Sequence, residues 1–419
     1  MTTRRAPLYG WLTAEAISLT GTRVSMIALP FLVLTTTGSA TQTGLVALFE
    51  MLPMVVLKVL GGPVIDRVGA RRVSIGCDLA SLVVVGAIPL LHLAGVLSFP
   101  ALLGLVAVAG GLRGPGDSAK QALVPAIAEH ANVPMERVTG LAGTVERSSS
   151  MLGAALAGGL VAVLGATNAL VVDAVSFGLS AAALIVSTRS LPAPPPVVEE
   201  GEASYGRQLR EGWDFLRSDR VLFGIAVMVA LTNLLDAAYA TVLVPVWAVE
   251  SGGGAGAIGL VFACFAGCSA LGAVCAAAWA ARLPRYRTYL LAFLVCGLPR
   301  YVVFAFDSPL WLVVGISMVA GFGAGFINPV LGAVIFERIP KPLVGRVSSL
   351  TTAMCFALMP LGGLLGGVLV TGVGIGPAML VVGLAYFAVT MLPAVDPRWR
   401  EIDRRREPAA EPVAGPVSA

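Results

Sequence analysis

Charge is what this sequence has least of: Asp, Glu, Lys and Arg make up 12% of 419 residues, with three lysines and two histidines. Soluble domains carry about twice that share, so a water-facing surface of ordinary size is excluded. None of the lysines, Lys58, Lys120 and Lys341, follows a glycine. The chain therefore lacks the G-x-x-x-x-G-K-[ST] loop that cradles phosphates, and it binds no nucleotide by that route. His92 and His130 form no H-E-x-x-H, and there is no G-x-S-x-G. A membrane-embedded hydrolase is thereby disfavoured, and no catalytic residue or cofactor is expected. The six cysteines all lie in apolar runs and form no C-x-x-C pair. Cys264, Cys268 and Cys275 share one helical face, where small residues pack helices together, and no metal site is expected.

What the chain has instead is 57% hydrophobic residues and a mean hydropathy of +0.87. Apolar stretches long enough to cross about 30 Å of hydrocarbon as helices recur along nearly its whole length. Twelve are expected: residues 8–36, 42–60, 73–94, 99–123, 139–165 and 167–188, then 218–248, 256–279, 286–306, 309–336, 344–372 and 375–393. Lys and Arg crowd alternate turns, including Arg67, Arg71 and Arg72, Arg207 to Arg220, Arg282 to Arg287 and Arg338 to Arg346. The intervening turns, near Gly38, Leu93, Gly165, Gly252, Ser308 and Gly374, have none. Basic residues stay on the cytoplasmic side during insertion, so both termini are expected to be cytoplasmic in a multi-pass protein of a bacterial cell membrane. The formal charge of +4 is accounted for by that topology and implies no nucleic-acid partner. The first run contains Glu15 and Arg23 and lacks a small-residue cleavage site, so it is taken as a span rather than a signal peptide.

Four segments follow: a bundle over 1–188, a linker over 189–217, a second bundle over 218–393 and a disordered tail over 394–419. The linker opens Pro-rich, with Glu199, Glu200 and Glu202, then places Leu209, Trp213 and Leu216 at helical spacing with arginines opposite. That pattern predicts a helix on the membrane surface. The bundles echo one another: R-V-T-G-L at Arg137 is answered by R-V-S-S-L at Arg346, and Gly158-Gly159 by Gly366-Gly367. Two six-helix bundles related by an axis along the membrane normal would leave a cavity between them, and rocking would expose it to each side in turn.

The turn G-P-V-I-D-R-V-G-A-R-R, Gly62 to Arg72, lies between the second and third runs. Gly62 and Gly69 are read as permitting tight backbone geometry and Asp66 as accepting bonds at a helix N-terminus. Arg67, Arg71 and Arg72 are read as reaching the opposite bundle, and Asp78 follows close by. Such a latch would hold one access state against the other. The turn resembles the signature of the major facilitator superfamily, G-x-x-x-D-R-x-G-[RK]-[RK], matched by Gly62, Asp66, Arg67, Gly69 and Arg71, with Ala70 departing from it. Within that family the chain resembles the exporter branch that includes siderophore exporters and macrolide efflux pumps. The supporting phrases are A-L-P-F-L-V-L-T-T-T-G-S-A, L-V-V-D-A-V-S-F, R-E-G-W-D-F-L-R and P-K-P-L-V-G-R-V-S-S-L. L-G-A-A-L-A-G-G in span five resembles the antiporter signature, with Ala154 in place of its proline. The resemblance implies an all-α fold of twelve transmembrane helices in two pseudo-symmetric bundles, and export of amphiphilic compounds, usually against protons. A monomer is expected.

Ionisable residues at bilayer depth are costly and usually face a cavity, a partner or a proton path. Span one has Glu15 and Arg23, span two Glu50, span four Arg113, span five Glu146 and Arg147, span seven Asp236 and span nine Arg300. Members of the resembled branch commonly carry an acid where this chain has Thr22, so proton coupling is expected to use Glu15, Glu146 or Asp236. Arg23, Arg113, Arg147 and Arg300 would supply cavity charge, Glu146 being a candidate counter-ion for Arg113 or Arg147. Asp78 and Asp173 read as structural, with Asp117 and Lys120 near the latch. Phe49, Met51, Asn233, Tyr239, Trp247, Phe326 and Asn328 are candidates to line the cavity, though such residues at helical spacing also pack cores. A non-coupled facilitator or a substrate-sensing receptor of the same fold would carry the same pattern, and transport in proteoliposomes separates them. No motif names the cargo.

Overall fold

Hydrocarbon offers no partner to a free N–H or C=O, so an apolar run that crosses it closes its hydrogen bonds within itself, as a helix. The computed structural model describes residues 5–189, 191, 202–279, 284–339 and 344–403, and all of their regular structure is helical. The first half comprises α1 (Ala6–Thr37), α2 (Ala40–Leu60), α3 (Gly62–Val68), α4 (Ala70–Leu93), α5 (Phe99–Ala122), α6 (Val124–Ala131), α7 (Met135–Leu164) and α8 (Ala166–Ser187). After α9 (Glu202–Ser218) the second half begins with α10 (Arg220–Ala238), a π-helical turn (Tyr239–Leu243) and α11 (Val244–Glu250). It continues through α12 (Gly254–Trp279), α13 (Arg285–Cys296), α14 (Leu298–Ala305), α15 (Leu310–Arg338), α16 (Val344–Ala357), α17 (Met359–Val373) and α18 (Ile375–Val395).

Twelve stretches among the described residues are long and apolar enough to span a membrane, with α5–α6, α10–α11, α13–α14 and α16–α17 each acting as one interrupted span. The interruptions have a shared cause. Pro245 cannot donate to the carbonyl of Thr241 and its ring crowds that group, so the preceding turn widens into the π form. Pro299 follows the break at Gly297, and Pro360 follows the break at Leu358, for the same reason.

Each half closes on itself: α1 packs on α7 and α8, α2 on α5, and α4 on α5 and α8, while α12 packs on α15, α13 on α15 and α18, and α10 on α16 and α17. The halves meet chiefly along α2–α17 and α7–α12. Small residues permit this. A methyl on Gly158 would lie 2.6 Å from the Cα of Gly259, and one on Gly259 would meet Gly158 the same way. One on Gly363 would lie 2.7 Å from the Ala47 Cβ, and one on Gly367 would lie 2.6 Å from the Ala40 carbonyl oxygen. Thr41 Oγ1 and Thr371 Oγ1 share a hydrogen bond of 2.7 Å beside them. These approaches lie toward the helix ends distal from the chain termini, so the two halves are sealed there by backbone packing.

Three expectations need correction. The Gly62–Arg72 segment is not an open turn: Pro63 starts the short helix α3, and Gly69, at φ 95°, ends it. Gly69 does use the freedom of glycine, but Gly62 has open space where a Cβ would point, and it is Gly61 that packs tightly, against the Leu57 carbonyl and Pro115. The chain also stays ordered beyond 394. α18 runs to Val395 and a 3₁₀ helix, Pro397–Asp403, buries Trp399 and Ile402, because Trp399 lies over Tyr289 at 5.7 Å and fills the space beside Gly224. The rest of the tail, 404–419, lies outside the described residues, as do 190 and 192–201 of the linker. Of the linker residues, Leu216 is fully buried and Trp213 meets Phe223 edge-on at 6.3 Å, so α9 is packed against α10 and α16.

Candidate functional site

Between the halves lies a cavity of about 460 Å³, lined by both. α1 contributes Arg23, Met26 and Pro30, α2 contributes Glu50, Met51 and Met54, α5 contributes Arg113 and α7 Ser150. The second half contributes Asp236, the π-turn residues Tyr239, Ala240 and Thr241, then Phe262, Phe265, Arg300 and Met359. The three helix interruptions of the second half border it: the π turn presents Tyr239 to Thr241, the Pro299 break precedes Arg300, and the Pro360 break presents Met359. Arg23, Glu50 and Asp236 stand near the midpoints of their spans, so the cavity lies at mid-membrane depth.

Two ion pairs line it, one in each half. Glu50 and Arg113 approach to 3.6 Å. Arg300 donates to Asp236 and, at 3.2 Å, to the Tyr301 hydroxyl. The Arg300 guanidinium is enclosed by rings, with its centre 4.8 Å from Tyr239, 4.9 Å from Tyr301, 5.0 Å from Tyr386 and 5.8 Å from Phe265. Four π faces and one carboxylate thus replace the water a buried guanidinium loses. Arg300 is only 6% exposed, whereas the Asp236 side chain keeps 40% of its surface open. Arg23 differs from both. It donates to Ser150 Oγ at 2.8 Å and approaches Met26 Sδ at 3.4 Å, and among the described residues it pairs with no carboxylate.

A second polar cluster sits nearer the chain termini, inside the first half. Lys120 is 1% exposed and lies 3.0 Å from Asp78, which accepts from Ser180 at 2.6 Å. Lys120 also donates to Ser18 at 3.0 Å, while its carbonyl accepts from the Trp11 indole. Glu15 stands within electrostatic range of Lys120, Asp117 and Asp78. The cluster ties α1, α4, α5 and α8 together. Asp173 does similar work between α1 and α8, accepting from Ser25 and Ser176.

The sequence profile of the Major Facilitator Superfamily matches residues 11–254 and 228–417. The chain belongs to the major facilitator superfamily. Its fold is similar to that of the nucleoside transporter NupG, with a TM-score of 0.72 over 93% of this chain and 98% of that one, at 14% identity. In sequence it is 29% identical over 402 residues to the multidrug efflux pump Tap of Mycobacterium tuberculosis, covering 95% of each. It is 21% identical over 398 residues to the macrolide efflux protein A of Streptococcus pyogenes, covering 93% of this chain and 95% of that protein. A superfamily member with twelve spans is a multi-pass membrane protein and a transporter rather than an enzyme.

The cavity gathers Arg23, Glu50, Met51, Arg113, Asp236, Tyr239 and Arg300 from the residues singled out in the sequence. The other candidates lie elsewhere. Glu15 belongs to the Lys120 cluster. Glu146 and Arg147 are exposed on α7, and Glu50, not Glu146, is the partner of Arg113. Phe49 is 40% exposed on the other side of α2. Asn233 donates to the Cys355 carbonyl at 2.9 Å, Phe326 packs edge-on against Phe322 at 5.4 Å, Asn328 is exposed, and Trp247 meets Phe304 edge-on at 4.7 Å. In the gating segment Arg71 donates to Thr188 and the Ile185 carbonyl within its own half, not across to the other. α3 packs on α2, α4 and α5, and the side chain of Asp66 lies outside the described residues. Asp78 belongs to the Lys120 cluster. Sequence reasoning missed the methionines Met26, Met54 and Met359 and the rings of Phe262 and Phe265; Pro360, directly after Met359, was the readable signal for one of them.

Proposed function

We propose that the protein is a secondary active exporter of hydrophobic or amphiphilic small molecules, working by alternating access and driven by proton antiport. The observation that carries this reading is the mid-membrane cavity with its split character: methionines, Phe262 and Phe265 for an apolar body, and two ion pairs for polar groups. The efflux proteins it resembles over nearly their whole length support the direction and the cargo class. The basic residues of alternate turns put both termini in the cytoplasm, so the glycine-sealed end is the outer one and this state opens inward. The Gly62–Arg72 segment, where Arg71 bonds within its own half, would engage the second half when the inner side closes. The protein works as a monomer, each chain holding a whole cavity.

Asp236 is the coupling carboxylate, since it is the cavity acid with the more open side chain and its protonation frees Arg300 from its acidic partner. In inverted vesicles, a proton gradient without ATP should drive accumulation of an amphiphilic dye, and collapsing the gradient should stop it. Asp236→Asn should abolish gradient-driven accumulation while dye binding stays within about threefold of wild type, the loss expected for one weakened polar contact. Undiminished accumulation by the variant would remove Asp236 from the mechanism.

A further inference from the structure

Among the described residues, Arg23 is the one cavity cation that forms no ion pair. The two cavity carboxylates are already engaged, Asp236 with Arg300 and Glu50 with Arg113. Arg23 uses one N–H on Ser150 Oγ and points another at Met26 Sδ, a weak acceptor. Its Nε is buried and, like that of Arg300, has no hydrogen-bond partner among the described residues. Glu146 lies within electrostatic range but forms no ion pair with it. Arg113 faces the same space, and at 3.6 Å its contact with Glu50 is longer than a charge-assisted hydrogen bond, so it too has donors to spare. With both carboxylates ionised, the three arginines leave one positive charge uncompensated in a space otherwise walled by Met26, Ile27, Leu29 and Met54.

A guanidinium at bilayer depth with an unmade hydrogen bond is costly unless something completes it. Its planar fork matches a carboxylate or similar planar oxyanion, which takes two parallel N–H donors. Apolar walls around such a fork suit a molecule with a hydrophobic body and one anionic end. We propose that the cavity selects amphiphiles bearing an anionic group, and that Arg23 is the residue that binds that group. This rests on the reading of the cavity as an amphiphile site and specifies which amphiphiles it takes.

The test uses the purified full-length protein and two probes that differ only in charge, 11-(dansylamino)undecanoic acid and its methyl ester, followed by dansyl fluorescence. Wild type should bind the acid about tenfold or more tighter than the ester, the gain expected from a charge-assisted pair. Arg23→Gln should bring the acid down to the ester's affinity and leave the ester unchanged. Arg23→Lys should fall between them, keeping the charge and losing the fork. Ser150→Asp, which supplies a counter-ion at the atom Arg23 now reaches, should likewise erase the preference for the acid. That variant carries the test should Arg23→Gln fold poorly, and retained ester binding certifies the cavity in each. If wild type binds acid and ester equally, or if Ser150→Asp keeps the preference, Arg23 is not an anion site while the amphiphile cavity stands. If neither probe binds wild type, the amphiphile reading itself fails, and this inference with it.

Discussion

Lys120 is a lysine with 1% of its surface exposed in the last turn of an apolar helix, and it persists because Asp78 and Ser18 meet its ammonium. Removing one partner of a buried pair strands the other charge, which costs about 3–5 kcal/mol, whereas removing both can be close to neutral. Lys120→Met should therefore lower the melting temperature of the detergent-solubilised protein steeply. Adding Asp78→Leu should recover much of that loss, and additive losses in a thermal-denaturation series would contradict the pairing. At this scale the sequence was legible for which residues are charged inside the membrane and not for whom they meet. Glu50 and Arg113 stand 63 positions apart, Asp236 and Arg300 64, and no local pattern links them. Glu146 looked like the partner of Arg113 from its place in span five, but its own helix turns it to an exposed face. The Arg300 cage draws Tyr239, Tyr301 and Tyr386 from three different elements, which a linear reading sees as three separate core aromatics.

The helices themselves were the most readable part of the chain, because each span must satisfy its own backbone and so writes its signal within about 20 residues. Their interruptions were readable in principle from Pro245, Pro299 and Pro360, since a proline removes a hydrogen bond wherever it falls. What a proline does not disclose is the response: one span widens into a π turn, and two break. Glycines posed the opposite problem. The chain has 49, and only the structure separates those that face another backbone, such as Gly158 and Gly259, from those with open space. Because these two Cα atoms face each other directly, Gly158→Val should force α7 and α12 apart and favour opening at the distal end. In a variant carrying Thr241→Cys in the cavity and no other cysteine, a membrane-impermeant maleimide added outside whole cells should label faster with Gly158→Val than without it. Equal labelling rates would mean that this contact does not hold the distal end shut.

For the molecule as a whole, the two-bundle arrangement was visible through the echo of Arg137-Val138 in Arg346-Val347, and both valines prove to be fully buried. The shape of the cavity was not visible, because it depends on which end the halves close. Thr41 and Thr371 mark the closed end, with their hydroxyls 2.7 Å apart across the seam. Cysteines at these two positions, in a background lacking the six native ones, are close enough to join once the S–S bond of about 2.05 Å draws them together. Oxidant should then halt turnover while leaving dye binding, and reductant should restore it. Continued transport by the cross-linked protein would rule out a cycle that needs this end to open.

Arg23 also has an electrical consequence. A charge fixed at mid-membrane feels a different share of the transmembrane voltage when the aqueous boundary moves from one side of it to the other, work of up to about 2.3 kcal/mol per elementary charge per 100 mV. Glu50 cancels Arg113 throughout, whereas Asp236 cancels Arg300 only while it is ionised, so in the proposed cycle the empty, protonated carrier responds to voltage through both Arg23 and Arg300. An anionic cargo seated at Arg23, with Asp236 ionised, makes the loaded carrier electrically silent, and the membrane potential then acts on the return stroke alone.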